Sequence, residues 1–208
     1  DSSYGAAIPD LYDIPFLTNS DAHSPAPDKL GREFTRFDLR ARTPKDVLAA
    51  VRSGHVALNA GFFPEEGKYN RTACTRCYTQ YSLKEAIGHN WRCPKDGGQI
   101  KKGVSDRAKE LSRGGTARPR PPYLHVLPLA QIIQTVTGAS SPNTKKCKEI
   151  YASFIAAFGN EIAVITDISL AEIQAIHPKV AEAVSALRES RVMLHPGGGG
   201  KYGTFSLV

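Results

Sequence analysis

The chain has 208 residues, 41% hydrophobic and 23% charged, an ordinary globular composition that excludes a disordered protein and supplies one good core or two small ones. No run approaches the length of a membrane span, and the opening Asp1-Ser2-Ser3-Tyr4-Gly5 carries neither a basic stretch nor an apolar leader, so the expected compartment is the cytoplasm. The balance of 27 Lys and Arg against 20 Asp and Glu gives a formal charge of +7, which favours a polyanionic partner, nucleic acid first, and no membrane.

The chain does not begin with Met and enters a strand-like run almost at once, the expected texture for the later part of a longer polypeptide. Ile14–Thr18 is a short apolar run that reads as a buried strand, and Phe34–Leu39 reads as a second, less regular one. Thr43-Pro44, the apolar face Val47, Leu48 and Val51, and the stop at Gly54 predict a helix over 44–53. A strand over 55–60 follows, giving the strand–helix–strand rhythm of an α/β layer.

From Lys68 to about Gly103 the texture changes to cysteines, aromatics and basic residues. Ser82-x-x-Glu85 is a capping-box pattern that predicts a short helix through Gly88, and Lys95-Asp96-Gly97-Gly98 predicts a turn before a return strand at Gln99–Lys102. Ser105–Leu111 reads as one more short helix. Ser112–Pro122, rich in Gly, Pro and Arg, reads as a linker. Beyond it Pro128, Ser141-Pro142, Ser169 and His177-Pro178 punctuate helical stretches. The apolar stripe Cys147, Ile150, Tyr151, Phe154, Ile155, Phe158 makes Cys147 a core residue. The end reads as two strands, 191–195 and 204–208, around a glycine loop.

Three patterns carry chemistry. Cys74-x2-Cys77-x15-Cys93-x2-Asp96 has the spacing of a two-knuckle zinc site in which Asp replaces the last Cys; His89 competes with Asp96 for the fourth position. Such a closed ligand set makes the Zn2+ structural. Arg76, Arg92, Lys101 and Lys102, with interleaved Tyr69, Tyr78, Tyr81 and Trp91, fit phosphate contact and base stacking, or else a solvated basic face with its own aromatic core. The loop Gly197–Gly200 before Lys201 fails as a Walker A motif, because His195 and Tyr202 stand where Gly and Ser/Thr are required. It remains either a phosphate-facing loop or a hairpin turn. Finally, Asp21-x-His23 either converges on a metal or is a turn Asp beside a surface His.

The run Thr18-Asn19-Ser20-Asp21-Ala22-His23-Ser24-Pro25, with Lys29–Phe34 behind it, resembles the last metal-binding motif of the polymerase-and-histidinol-phosphatase (PHP) superfamily. Gly61–Tyr69 leading into the Cys-x2-Cys module, Arg120–His125, Ser141–Lys146 and His195–Gly203 extend the resemblance over nearly the whole chain, and it is to the endonuclease Q family. The resemblance implies a fold of mixed α/β and α+β type. Residues 1–63 would be the C-terminal part of a PHP-type distorted barrel, 64–104 a small zinc-binding module, 105–122 a linker, and 123–208 a mainly helical DNA-handling domain ending in a β-hairpin. It further implies a metal-dependent endonuclease that recognises deaminated bases (hypoxanthine, uracil) and abasic sites in DNA and cuts 5′ to the lesion. Asp21 and His23 would bind a catalytic Mg2+, Mn2+ or Zn2+, and Cys74, Cys77 and Cys93 a structural Zn2+; Asp96 departs from the family's four-cysteine pattern. The family's other catalytic ligands have no counterpart here, so the site in this chain is incomplete. The expected DNA-contacting residues are Arg76, Arg92, Lys101, Lys102, Arg118, Arg120, Gly198, Gly199, Lys201 and Tyr202. Two alternatives stand beside this reading: a non-catalytic zinc-containing DNA-binding fragment, and a PHP-type phosphoesterase acting on a small substrate.

Overall fold

A computed structural model describes residues 2–23 and 33–207. Ser24, Pro25 and Lys29–Arg32, quoted above for the resemblance, lie outside the described residues. Within these limits the chain forms two compact units. The first comprises Asp1–Asn19, Phe34–Leu124 and Leu194–Phe205; the second comprises Ser20–Glu33, His125–Met193 and Ser206–Val208.

The first unit opens with a one-turn helix, α1 (Ser2–Gly5), where the sequence reading expected a strand-like start. A three-stranded sheet follows, in the order β1 (Phe34–Arg36), β2 (Leu58–Gly61), β5 (Tyr123–His125). β1 and β2 run antiparallel with Thr35 opposite Asn59. Between them lies the predicted helix, α2 (Pro44–Ser53), capped by the Thr43 side chain on the Asp46 amide and closed by Gly54 in the left-handed conformation at φ +69°.

Ile14–Thr18 is not a buried strand. Ile14 and Leu17 are exposed, and the segment is held by side chains instead of a backbone ladder. Thr18 N donates to Thr35 Oγ1 (2.8 Å) and Asn59 Oδ1 (3.2 Å), Thr35 Oγ1 donates to Thr18 O (3.0 Å), and Asn59 Nδ2 donates to Phe16 O (3.0 Å). Pro15 has no amide to offer a ladder, and the fully buried Asn59 supplies the missing bonds.

The Gly/Pro/Arg stretch after α4 (Val104–Ser112) lacks regular structure but is tied down. The Arg120 guanidinium donates to the carbonyls of Ile14 (2.8 Å) and Leu11 and lies 4.0 Å over the Phe16 ring. Arg118 lies 4.2 Å over Tyr12, whose hydroxyl donates to Thr116 O (2.8 Å).

The cysteine-bearing region has β3 (Ala73–Cys74) antiparallel to β4 (Ile100–Lys101), with Cys74 opposite Ile100. α3 (Leu83–Gly88) starts at the complete capping box of Ser82 and Glu85.

The second unit is helical: α5 (Leu129–Thr137), α6 (Lys145–Phe158), α7 (Glu161–Thr166), α8 (Leu170–Ile176) and α9 (Pro178–Arg188). Leu129, Ile132, Ile133, Phe154, Val164, Ile173, Val180 and Val184 form its dry interior, with Cys147 buried as expected. α7 is the helix the periodicity did not separate. Gly159 breaks the stripe at the end of α6, and the Asn160 side chain caps the new helix at the Ala163 amide (2.9 Å). His177 ends α8 and Pro178 opens α9, so the two pack as a helical hairpin. β6 (Val192–His195) and β7 (Thr204–Leu207) pair around the glycine loop. Among the described residues no helix is long and apolar enough to cross a membrane.

Candidate metal centre and nucleic-acid face

The first knuckle grows from the end of β3. Tyr78 N returns to Cys74 O (3.1 Å) and Cys74 N to Thr79 O (2.9 Å), so the chain turns back within four residues. The Arg76 amide points at Cys74 Sγ (3.3 Å). In the second knuckle Gly97 N donates to Cys93 O (2.8 Å), Cys93 N to Gly98 O (2.8 Å), and Gly98 N to Asp96 Oδ1 (2.8 Å). Gly98 is required here, because a Cβ would sit 2.7 Å from Cys74 Sγ and 2.9 Å from Asp96 Oδ1.

These turns bring Cys74, Cys77, Cys93 and Asp96 together, with one ligand atom of each within 4.8 Å of the others. Cys77 Sγ and Cys93 Sγ are 3.6 Å apart, close to the roughly 3.8 Å edge of a tetrahedron with Zn–S bonds of about 2.3 Å. Three sulfurs and one carboxylate also suit a borderline-soft, tetrahedral ion by their chemistry. The donor set therefore fits a metal. His89 stays outside the group, exposed, with its ring edge-on to Tyr81 at 5.9 Å.

The electrostatics differ from ligand to ligand. Burial pushes the Cys74 thiol up, whereas the Thr79 hydroxyl beside Cys77 pulls that exposed thiol down. The Gly98 amide holds the Asp96 carboxyl down at about 2. The ionised carboxylate is therefore favoured by folding, a contribution present above the ordinary carboxylate range and lost as pH falls through about 2. The Tyr81 hydroxyl lies 3.1 Å from Cys93 Sγ, and this bond raises the phenol above its usual range.

The glycine loop inserts against this module, a relation that nothing local in the sequence announced. Arg71 N donates to Gly197 O (2.8 Å), Gly197 N to Glu65 O (2.8 Å), Gly200 N to Lys68 O (2.9 Å) and Gly203 N to Glu66 O (3.0 Å). Gln80 Nε2 donates to Pro196 O (2.7 Å). Gly198 and Lys201 bond each other, so five loop amides are already used within the protein. Of the two readings left open above, the hairpin turn is present at residues 198–201, and its glycines also permit close backbone packing. Gly199 shows this best, because at φ +67° its Cβ would lie 2.1 Å from Cys74 O. Gly199→Ala is expected to lower stability by about 2–4 kcal/mol, combining left-handed strain with overpacking, as read from urea denaturation.

Lys201 and Tyr202 stand exposed at the loop's tip, with Lys68 Nζ 5.7 Å from the Tyr202 ring centre and 5.5 Å from that of Tyr69. Lys101 Nζ lies 4.2 Å over the Tyr69 ring. Lys102 instead pairs with Glu110 (2.7 Å), and Arg76 donates to Asp96 O (2.8 Å) across the two knuckles. Arg92 is exposed on the second knuckle. Arg118 and Arg120, expected to hold DNA, are engaged by the N-terminal segment as described above.

Asp21 and His23 are almost wholly exposed, their side chains 96% and 83% accessible. The His23 Nδ1 lies 2.7 Å from Asp21 O and 3.9 Å from Asp21 Oδ2. Among the described residues no further His, Cys, Asp or Glu joins them in a ligand cluster.

Comparison with known proteins agrees with this anatomy. Residues 7–56 match the family model described as PHP-associated, and residues 128–191 match that of the MJ0043 C-terminal domain. The protein MJ0043 of Methanocaldococcus jannaschii is 41% identical over 99% of this chain and 27% of its own length. YqxK of Bacillus subtilis is 33% identical over 98% of this chain and 49% of its own. The crystal structure of the lesion-specific endonuclease PfuEndoQ from Pyrococcus furiosus superposes with a TM-score of 0.92 at 43% identity, covering all of this chain and 52% of that one. A structure of endonuclease Q in complex with a 27-mer duplex substrate with an abasic lesion at the active site gives 0.90 at 42% identity, over all of this chain and 53% of that one. The chain thus spans from about a quarter to about half of the relatives it matches. Along its entire length it has the sequence pattern and the fold of about half of an endonuclease Q molecule.

Proposed function

We propose that this chain is the DNA-handling part of a lesion-specific endonuclease that nicks DNA 5′ to deaminated bases (hypoxanthine, uracil) and abasic sites. The supporting observation is the chain-long likeness, at 43% identity, to a lesion-specific endonuclease. Asp21 and His23 bind part of a catalytic divalent-metal centre (Mg2+, Mn2+ or Zn2+) whose remaining ligands come from elsewhere in the full-length protein, and their exposure leaves them free to meet those ligands. Bound there, the ions supply an activated water and neutralise charge on the phosphate. Cys74, Cys77, Cys93 and Asp96 hold a structural Zn2+. Lys68, Arg92, Lys101 and Lys201 lie along the backbone of the bent strand, and a damaged base, weakly paired, is the cheapest one to extrude. The protein works in the cytoplasm.

A second reading, a zinc-containing DNA-binding fragment without catalysis, is favoured by the missing ligands around Asp21 and His23 among the described residues. One experiment separates the two. The full-length protein with Mg2+ or Mn2+ is expected to nick a duplex carrying one deoxyinosine on the 5′ side of the lesion; an intact duplex refutes the endonuclease. The 208-residue chain alone is expected to bind DNA without cutting it. Its log affinity should fall against log salt with a slope of about −3 to −4, for about four phosphate contacts.

A further inference from the structure

Between the first knuckle and the glycine loop lies a cleft of about 320 Å³, in the size range of sites for small planar ligands. One wall carries Tyr78, Thr79 and Gln80, the other His195, Lys201 and Tyr202. The Gln80–Pro196 hydrogen bond ties the two walls together.

Tyr78 is the informative residue. It takes the left-handed conformation at φ +60°, which the knuckle turn imposes and which a glycine would adopt without strain. Trp91 is also left-handed, at φ +58°, but it packs against the module's core, so its ring offsets its backbone strain. Tyr78 has no such compensation, because it is 45% exposed. A strained, bulky and exposed aromatic is unfavourable for folding, and such outliers concentrate at functional positions. Across the cleft Tyr202 is 67% exposed, and Lys68 and Lys201 supply positive charge at its rim.

We propose that this cleft binds an unpaired DNA base, stacked on the rings of Tyr78 and Tyr202, with the adjoining phosphate neutralised by Lys201. The inference rests on the DNA-handling reading above and adds to it a nucleotide site built on the first knuckle and the glycine loop. Aromatic faces accept any base, so the site reads the loss of pairing, not the identity of the base. Lesion handling leaves such a base, since the partner of an extruded nucleotide is unpaired.

The test uses the zinc-loaded chain with two lesion-free probes: a duplex bearing one bulged, unpaired 2-aminopurine, and the same duplex fully paired. The parent is expected to prefer the first by about ten-fold or more, the scale of one stacked base. Tyr78→Gly and Tyr202→Ala should each reduce that ratio towards one, whereas Tyr78→Phe should keep it. Tyr78→Gly should also hold its zinc and raise the thermal midpoint by about 2–4 °C, because strain is relieved while function is lost. Tyr202 lies outside the knuckle, so its variant decides the matter if Tyr78→Gly disturbs the metal. Equal preference in the parent, or a ratio unchanged in Tyr202→Ala, overturns the cleft. No binding of either duplex by the parent overturns the DNA-handling reading as well.

Discussion

Cys93→Ser is expected to release the metal and unfold residues 71–101. The interior of this module consists of Cys74, Ala86, Cys93 and Ile100, with Tyr81 and Trp91 packed around it. Two of those four residues belong to the proposed metal site, so if the ion is lost little core is left. Structural zinc contributes roughly 10–16 kcal/mol in comparably small units, far more than the apolar contacts left behind. A hydroxyl in place of the thiol nearly keeps the side-chain volume and removes the thiolate that binds the ion. Trp91 is the chain's single tryptophan and sits in this module, so its emission reports the module alone. The variant, or the parent treated with a chelator, should show less than one zinc per chain and a red-shifted tryptophan spectrum. Full zinc content with unchanged emission in Cys93→Ser would remove the metal centre.

Asp21→Asn is expected to abolish cutting while leaving binding intact. In the full-length protein the substitution removes the charge proposed above to attract the catalytic ion but keeps the shape of the side chain. A loss of at least about 100-fold in nicking rate follows, since even residues that only support metal ligands are worth about 10- to 100-fold. An unchanged thermal midpoint of the full-length variant is the control that separates a fall in rate from unfolding. The affinity for lesion-bearing duplex should change by less than about two-fold. An undiminished nicking rate would leave the endonuclease without this ligand.

The parts of the molecule legible in the sequence are those whose instructions are local. Thr43-Pro44 with Gly54, the Ser82 box and the helix start at Ser169 each specify a helix end within a few residues, and each appears as read. The convergence of Cys74, Cys77, Cys93 and Asp96 was legible for the same reason, since the two knuckles are separate short turns. Ile14–Thr18 misled because its bonds come from the side chains of Thr35 and Asn59, which no periodicity of residues 14–18 encodes. The stretch 112–122 has the composition of a free linker, yet Arg120 fastens it to carbonyls more than a hundred residues away. Tyr78 was visible only as one of several aromatics; its strained backbone and its place in a cleft required coordinates.

The seam between the first knuckle and the glycine loop also sets an order on biosynthesis. Gln80 and Pro196 are 116 residues apart, so at about 5–20 residues per second the knuckle leaves the ribosome roughly ten seconds before its partner. During that interval the two cysteine turns are complete and competent to capture an ion, while the edge at Arg71 is open and the second wall of the cleft does not exist. A chain whose translation stalls anywhere in the helical unit therefore has both cysteine turns and an unsealed strand edge. Completion of the cysteine turns and formation of the cleft are two events, and only the later one certifies that the helices between them have been made.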